Sequence, residues 1–285
     1  MQIRKAVITA AGPGQRTLPM QLLIDQQGVE RSVLSLVVRE ASRAGITNIC
    51  IVVWPGDEEP YSKLVSDDSV RLTFVPQHGA CGYAHAVYCA RDFVGNEPFL
   101  HFVGDHIYVA PESTGCARRL VDAATSAGCS ISTVQITREN LLPYFGAIGG
   151  QPVRGESSFY RIDTVLEKPT PTEAEQRLIV PGLRSGQYLC FYGMHVLTPA
   201  IFDILSALLA EPNSRPSLSA ALSILAEREQ YLAMIHKGQR FDVGVKYGLF
   251  SAQLALAMNG RDRDHVLAEI VQVLASRELF ERSGE

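Results

Sequence analysis

The sequence has 285 residues, of which 46% are hydrophobic and 20% are charged, so the chain can bury a sizeable core and lacks the composition of a disordered protein. Its formal net charge is −4, and no run is rich in lysine and arginine, which disfavours a protein that binds duplex nucleic acid. No apolar stretch approaches the roughly 20 residues that cross a bilayer, so no membrane partner is expected.

Residues 1–136 alternate between apolar, β-branched runs and stretches in which apolar residues recur at helical spacing. Strands are predicted at Lys5–Thr9, Ile49–Val53, Arg71–Val75, Pro98–Val103 and Ser130–Gln135. Helices are predicted at Ser32–Arg43, which ends before Gly45 as a natural C-cap, and at Ala84–Arg91 and Cys116–Ala127. Such alternation indicates a parallel sheet with helices on both faces.

After about residue 140 the pattern becomes richer in strands. Further strands are predicted at Tyr144–Ile148, Phe159–Val165, Gln187–Val196 and Tyr231–Ile235, and helices after Pro199 and at Leu218–Glu227, Leu249–Met258 and His265–Arg282. We therefore predict one domain over residues 1–285 with an α/β, Rossmann-like fold. It should contain a mixed, mainly parallel sheet with helices on both faces and a smaller β-rich sub-region.

The cysteines and the N-terminus indicate a cytoplasmic protein. None of the six cysteines forms a C-x-x-C pair, which disfavours zinc ribbons and thioredoxin chemistry. The opening segment, MQIRKAVITAA, lacks the long apolar core and cleavage site of a signal peptide. The cysteines are therefore interpreted as reduced, mostly buried thiols.

A glycine-containing loop, AAGPGQRTLP, directly follows the first predicted strand. Gly12 and Gly14 fit the first half of G-x-G-x-x-G, but Thr17 takes the place of the third glycine. The second strand ends at Trp54–Gly56 rather than at an acid that could hold a ribose, although Asp57 follows in the loop. A dinucleotide fingerprint is therefore weak, and a Walker A loop is excluded because the chain has no Gly-Lys pair. A phosphate loop and a plain strand-to-helix turn both remain open.

Two aspartates follow β-type runs and could share a cation. Asp105 comes directly after PFLHFVG, at the carboxyl end of a predicted strand, where α/β folds bind ligands. Asp242, in QRFDVGVKYG, has the same form, and oxygen ligands of this kind suit Mg²⁺. The alternative for each is a turn aspartate. His101 and His106 flank Asp105, but zinc would need a third and a fourth ligand that the sequence does not place, and His101 is interpreted as a packed strand residue.

Three other segments carry polar groups suited to a sugar or a base. Glu167 and Lys168 end the run TVLEKP, where the carboxylate could accept from a sugar hydroxyl and the amine could contact a phosphate. Gly146, in PYFGAI, could place bare backbone under a sugar ring. Gln77 carries the donor and acceptor needed to read a base edge. A solvated charge pair, a loop entering a strand and a polar loop residue are the respective alternatives.

Taken together and in order, these segments resemble the bacterial UTP–glucose-1-phosphate uridylyltransferases, within the sugar-phosphate nucleotidylyltransferase family. The resemblance covers nearly the whole chain. The segments that carry it are KAVITAAGPGQRTLP, FVPQHGACGYAHAVYCA, FLHFVGDHIY, PYFGAI, VLEKP and FDVGVKYG. It implies the nucleotide-diphospho-sugar transferase fold, with residues 1–136 as the nucleotide-binding half, 137–248 as the half that binds sugar and completes the metal site, and 249–285 as C-terminal helices.

The resemblance also implies an activity and a set of roles. UTP and a hexose 1-phosphate, with glucose 1-phosphate as the expected sugar, would give UDP-sugar and pyrophosphate. Asp105 and Asp242 would hold a catalytic Mg²⁺, Arg16 would contact the departing phosphates, and Lys168 would contact the sugar phosphate. The implied substrate-binding residues are Ala10, Ala11, Gly12, Gly14, Gln77, Gly82, Gly146, Glu167 and Lys246, the last with its role left open.

Three positions depart from the family pattern. Gln15 stands where the family has threonine, Met20 stands about where a shortened loop would place the family's phosphate-contacting lysine, and Ala220 lies where an acid is frequent. A second hypothesis is therefore a non-catalytic homologue that binds nucleotide or nucleotide sugar and regulates a partner; the retained Asp105 and Asp242 argue against it. A nicotinamide-dependent oxidoreductase is disfavoured by the broken glycine fingerprint.

The last predicted helix presents a wide apolar face. Its apolar residues are Val266, Leu267, Ile270, Val271, Val273, Leu274 and Leu279. Such a face either caps the core or packs on a second subunit, and we expect a homo-oligomer.

Overall fold

The computed structural model describes residues 1–12, 14, 16–65, 67, 69–79, 81–110, 114–211 and 215–282, with side chains up to residue 276. The strands are β1 (Lys5–Ala10), β2 (Leu22–Ile24), β3 (Glu30–Ser32), β4 (Asn48–Val53), β5 (Arg71–Pro76), β6 (Phe99–Val103), β7 (His106–Val109), β8 (Ser130–Arg138), β9 (Gly146–Pro152), β10 (Phe159–Glu167), β11 (Gln187–Leu197), β12 (Tyr231–Ile235) and β13 (Gln239–Asp242). The helices are α1 (Val33–Arg43), α2 (Glu58–Ser62), α3 (Tyr83–Cys89), α4 (Arg91–Val94), α5 (Cys116–Ala127), α6 (Pro171–Arg177), α7 (Ala200–Ala210), α8 (Leu218–Arg228), α9 (Gly248–Met258) and α10 (Arg263–Arg282), with 3₁₀ turns at Leu18–Met20 and Glu139–Tyr144.

One mixed sheet of nine strands runs through the molecule in the order β5-β4-β1-β6-β11-β8-β12-β10-β9. Its first four strands are parallel, and β8 and β12 form a further parallel pair. The pairings of β11 with β6, β8 and β9, and of β10 with β9 and β12, are antiparallel. The predicted α/β fold with a mixed sheet is confirmed, but the sheet is not mainly parallel as predicted. Among the described strands of this sheet, four pairings are parallel and five are antiparallel, because β10 and β11 run against their neighbours.

Alternate residues of the parallel strands pack into opposite faces of the sheet. Val7, Cys50 and Val52 belong to one hydrophobic cluster, whereas Ile8 and Ile51 belong to the other. Strands buried on both faces require continuous apolar runs, which is why their sequences do not alternate with polar residues. Helices cover both faces of the sheet: α3, α7 and α8 contribute to one cluster, and α1 and α5 contribute to the other.

The helix predicted at Ser32–Arg43 is confirmed and begins one residue later. The Ser32 hydroxyl caps it by accepting from the Ser35 amide at 3.0 Å. Gly45, with φ of +87°, follows its end. The strand predicted from Tyr144 begins only at Gly146, because Tyr144 ends a 3₁₀ turn that contains Pro143.

A small two-stranded sheet of β7 and β13 was not predicted, and it positions the two candidate metal acids. The strands are antiparallel, and Asp242 pairs with His106. The Val243 amide donates to the Asp105 carbonyl at 3.0 Å. Beneath the ribbon lies a third hydrophobic cluster that includes Ile107. The ribbon thus brings a late segment of the chain against the end of β6.

The apolar face of α10 is largely exposed. Val271, Val273 and Leu274 are 58%, 68% and 61% exposed, and the side chain of Leu279 lies outside the described residues. In the part of the chain that the structure describes, no helix combines the length and apolarity needed to cross a membrane.

Candidate active site

A cleft of about 340 Å³ opens at the carboxyl ends of β1 and β6. Six of the predicted site residues line it together, namely Ala10, Ala11, Gly12, Gln77, Gly82 and Asp105. Gly104 turns the chain at the end of β6, where a Cβ would lie 2.6 Å from the Thr9 carbonyl oxygen. Gly12 and Asp105 therefore share one edge of the sheet, as the fold prediction requires.

Gln77 is fixed at the side of the cleft. It follows β5, its amide donates to the Val53 carbonyl at 2.8 Å, and only 4% of the residue is exposed. Its Nε2 donates to the Gly82 carbonyl at 3.0 Å and lies 3.0 Å from Nδ1 of His85. Gly82 has φ of +88° and begins α3, a conformation that glycine adopts without strain. These contacts hold the Gln77 amide in one orientation toward the cleft.

Asp105, which lines the cleft, converges with His106 and Asp242. His106 Nε2 lies 3.9 Å from Oδ1 of Asp105 and 3.9 Å from Oδ2 of Asp242. One ligand atom from each residue falls within 4.8 Å of the other two. Oδ1 of Asp105 is buried and has no hydrogen-bond partner among the described residues. A buried carboxylate oxygen without a donor, beside a second carboxylate, fits the oxygen-rich surroundings that a divalent cation needs.

Burial dominates the electrostatics of this cluster. Burial, and then the negative charge of Asp242, raise the pKa of Asp105 from 3.8 to about 6. The nearby Arg240 guanidinium opposes that rise. Arg240 is itself buried, which lowers its pKa, and it donates to the Phe191 carbonyl at 3.1 Å. Its guanidinium lies over the Phe145 ring at 4.3 Å from the centroid.

Sequence reasoning missed Arg240 as part of the site. Its position two residues before Asp242, on the same face of a strand, was the available signal. Arg240 packs on Phe145, which precedes Gly146, and so links the pair Asp105 and Asp242 to the segment predicted to bind the sugar.

Gly146 and Glu167 lie opposite one another on β9 and β10. The Ser219 hydroxyl donates to Oε2 of Glu167 at 2.5 Å. A Cβ at Gly146 would lie 2.7 Å from Ser219 Oγ and 3.2 Å from Glu167 Oε2, so only glycine fits here. Lys168 has φ of +46°, unusual for a residue with a side chain, and its amide donates to the Phe145 carbonyl at 3.1 Å. Ser219 was not predicted, although the neighbouring Ala220 was noted as a departure from the family pattern.

Tyr83 lies between the two groups of residues. Its hydroxyl lies 3.3 Å from Nε2 of His101. The pKa of Tyr83 is raised, first by burial of the hydroxyl and further by the negative charges of Asp105 and Glu167. The charges of Asp105 and Glu167 thus both disfavour ionisation of this hydroxyl.

The remaining predicted residues lie outside the lining of the cleft. Arg16 forms a two-pronged ion pair with buried Asp57, in which Nε donates to Oδ2 at 2.7 Å and a second N–H donates to Oδ1. This bond and the carboxylate charge raise the pKa of Arg16. Gly14 is exposed, and Lys246 is exposed with its Nζ 5.2 Å from the centroid of the neighbouring Tyr247 ring.

Met20 ends the 3₁₀ turn at Leu18–Met20 and packs, half-buried, against the hydrophobic cluster that contains Ile8. Of the family departures, Met20 is therefore a core-facing residue in this chain. Gln15 lies outside the described residues.

Comparison with known proteins gives one consistent result. Residues 5–259 match the family model described as nucleotidyl transferase. The chain is 28% identical over 303 residues to a UTP–glucose-1-phosphate uridylyltransferase of Bacillus subtilis, covering 97% of this chain and 99% of the relative. It is 27% identical over 299 residues to the protein of that name from Staphylococcus epidermidis, covering 96% and 99%. A crystal structure of a UDP-glucose pyrophosphorylase complexed with UDP-glucose matches with a TM-score of 0.73 at 25% identity, covering 89% of this chain and 98% of that one. The chain belongs to the nucleotidyl transferase family.

Proposed function

We propose that the protein joins UTP and glucose 1-phosphate to give UDP-glucose and pyrophosphate, with Mg²⁺ as cofactor. The observation that carries the proposal is the meeting of Asp242 with Asp105, which lines the same cleft as Gln77. The names of the relatives support the choice of substrates.

The chemistry requires little beyond positioning and charge neutralisation. The sugar phosphate attacks the α-phosphorus of UTP, and the bond between the α- and β-phosphates breaks to release pyrophosphate. The attacking oxygen is already anionic near neutral pH, since the second pKa of a phosphomonoester is about 6. No general base is needed, and the site offers acids and cations in place of a nucleophile–histidine pair. When bound between Asp105 and Asp242, Mg²⁺ would supply charge neutralisation to the phosphates.

Residues 1–136 would bind the nucleotide. The backbone of Ala10, Ala11 and Gly12 would pass beside the nucleoside. Gln77, with its amide held by the Gly82 carbonyl, would read the edge of the pyrimidine. A glutamine whose Nε2 contacts both the Gly82 carbonyl and His85 Nδ1 presents its carbonyl oxygen in a single direction, which favours a base edge that offers a donor.

Residues 137–248 would bind the sugar and complete the metal site. Glu167 would accept from sugar hydroxyls, oriented by its bond from Ser219. Bare backbone at Gly146 would leave room for the ring. Lys168, whose backbone strain points to a functional constraint, would contact the sugar phosphate.

The triphosphate end would depend on Arg16, Gly14 and Lys246. Arg16 is about half exposed, at 45% of its side chain, and lies in the loop that follows β1. Asp57 holds its guanidinium with two hydrogen bonds, which fixes the arginine in one place while leaving other N–H groups for a phosphate. Met20 contributes no charge, so Arg16 would carry much of the neutralisation on this side.

The C-terminal helices, residues 249–285, would join two copies of the chain. Exposed valine and leucine side chains on α10 form the candidate contact surface. Light scattering at several concentrations tests this, and a strict monomer would remove the homo-oligomer. The cytoplasmic location stays a prediction, consistent with six free cysteines.

A pyrophosphate-release screen of the purified protein tests the activity. UTP with glucose 1-phosphate should give the highest rate among all nucleoside triphosphates paired with several sugar 1-phosphates. Asp105→Asn and Asp242→Asn should abolish the Mg²⁺-dependent rate, whereas His265→Asn on the exposed side of α10 should not change it. Binding of UTP or UDP-glucose by calorimetry without any turnover would instead identify a nucleotide-binding regulator.

A further inference from the structure

We propose that His106 is a third protein ligand of the cation at Asp105 and Asp242, and that it makes the site select a transition-metal dication such as Mn²⁺ or Co²⁺ over Mg²⁺. The inference deepens the proposed function, since it rests on a divalent cation occupying that site. It concerns which cation binds, and through which atoms, rather than the reaction.

The imidazole is aimed at both carboxylates without bonding to either. Nε2 of His106 lies 3.9 Å from an oxygen of Asp105 and 3.9 Å from an oxygen of Asp242, beyond hydrogen-bond reach. Three ligands about 2.1 Å from one octahedral ion lie about 3 Å from each other. Shifts of less than about 1 Å would therefore bring all three atoms onto one cation.

The fold holds the ring in this direction. His106 begins β7 directly after Asp105, and its backbone pairs with Asp242 on β13. Gly193 has φ of +89°, and a Cβ there would lie 2.6 Å from Nδ1 of His106. Tyr108 donates to the Gly193 carbonyl at 2.9 Å and fixes that stretch of backbone. The His106 ring thus packs directly against the backbone of Gly193, where any side chain would displace it.

The two ring nitrogens have different surroundings. Nδ1 is buried against Gly193 and has no hydrogen-bond partner among the described residues. Nε2 faces the two carboxylates, so it is the nitrogen available to a cation. The sequence predicted Asp105 and Asp242 as a pair of metal ligands, and the β7–β13 pairing adds His106 to them.

The ligand set determines the preferred metal. Mg²⁺ prefers oxygen ligands and gives up its water reluctantly, whereas imidazole suits the divalent transition metals. The positive charge of Arg240 acts on Asp105 and partly offsets the two carboxylates. This charge acts alike on every dication, so the preference among them comes from the imidazole nitrogen. Two carboxylates and one imidazole leave positions for phosphate oxygens on an octahedral ion.

The test uses the full chain, stripped with a chelator and reloaded with one metal. Mn²⁺ should bind at least tenfold more tightly than Mg²⁺ by calorimetry. Electron spin-echo spectroscopy of the Mn²⁺ form should show ¹⁴N modulation from one imidazole. In His106→Asn the modulation should disappear and Mn²⁺ affinity should fall more than tenfold, while Mg²⁺ affinity changes less than threefold. His265→Asn, an exposed histidine on α10, is the matched control and should behave as wild type.

Wild-type protein without ¹⁴N modulation, or a His106→Asn variant with an unchanged Mn²⁺-to-Mg²⁺ affinity ratio, would overturn the inference. The wild-type spectrum decides the matter even when the variant fails to fold. These readouts need no turnover. Nitrogen coupling without pyrophosphate release would count against the proposed function alone, and Mg²⁺-driven turnover without nitrogen coupling would count against His106 alone.

Discussion

Replacing Asp105 by asparagine should stabilise the metal-free protein while abolishing its turnover. Only 8% of Asp105 is exposed, and one of its oxygens has no donor among the described residues. Burial and the charge of Asp242 raise its pKa from 3.8 to about 6. The ionised Asp105 carboxylate therefore destabilises the folded state. A neutral asparagine of nearly the same shape removes this destabilisation.

The raised pKa of Asp105 determines how much Asp105→Asn stabilises the protein and how that gain depends on pH. Each pKa unit corresponds to about 1.4 kcal/mol, so ionised Asp105 costs the metal-free fold about 3 kcal/mol above pH 6. The folded carboxyl binds its proton more tightly than the unfolded one, so the cost is absent below the unfolded pKa and grows as the pH rises toward the folded pKa. Asp105→Asn should thus raise the free energy of unfolding by up to about 3 kcal/mol at pH 8 and by about half of that at pH 5.

Urea unfolding in excess chelator at pH 5 and pH 8 measures the difference. Asp242→Asn is the matched comparison and should have a smaller effect, because the Asp242 side chain is 32% exposed. Added Mg²⁺ should then stabilise the wild type and leave Asp105→Asn unchanged. An Asp105→Asn variant that is less stable than wild type at pH 8, or a gain that is equal at both pH values, would refute the electrostatic reasoning.

Three further substitutions probe the other parts of the site. Arg16→Ala should lower kcat/KM for UTP more than tenfold in steady-state assays, since a charge-assisted phosphate contact is worth about 1.5–3 kcal/mol; an unchanged value would exclude Arg16 from the triphosphate site. Met20→Lys should lower the thermal midpoint without raising activity, because Met20 packs against the core; faster turnover would show that position 20 reaches the phosphates. Gly146→Ala should raise KM for glucose 1-phosphate severalfold and leave KM for UTP unchanged, because its Cβ would meet Ser219 Oγ at 2.7 Å. Because Ser219 also orients Glu167, the effect of Gly146→Ala is compared in the wild-type and Ser219→Ala backgrounds. An equal rise in KM for glucose 1-phosphate in both backgrounds would exclude the contact with Ser219 Oγ as the cause.

The sequence predicted the structure best at positions where a residue type has one dominant structural role, such as a helix cap or a buried strand. The continuous apolar run Ile49–Val53 fits a strand buried on both faces, and Ser32 and Gly45 mark the ends of α1. Asp105 at the end of an apolar strand could be placed at the binding edge of the sheet because parallel strands present their carboxyl ends together.

The sequence did not predict which segments and side chains that are distant along the chain pair with each other. Nothing in QRFD shows that this short segment pairs with the strand after Asp105, since two four-residue strands carry little periodicity. The partners of Arg16 and Glu167 were hidden for the same reason. Asp57 is 41 residues from Arg16, and Ser219 is 52 residues from Glu167.

The β7–β13 ribbon also governs when the protein can first become active during its synthesis. Asp105 and Asp242 are 137 positions apart (242 − 105), and the ribbon that unites them cannot form before its second strand has left the ribosome. A nascent chain lacking that strand would hold the nucleotide cleft with only Asp105 and His106 of the three proposed cation ligands. A metal site that exists only in the folded state adds its binding energy to the free energy of folding. A cation that bound after Asp242 had joined Asp105 would therefore stabilise the contact between the two halves of the chain. Translation would have to pass Asp242 before the chain could bind its metal and begin turnover.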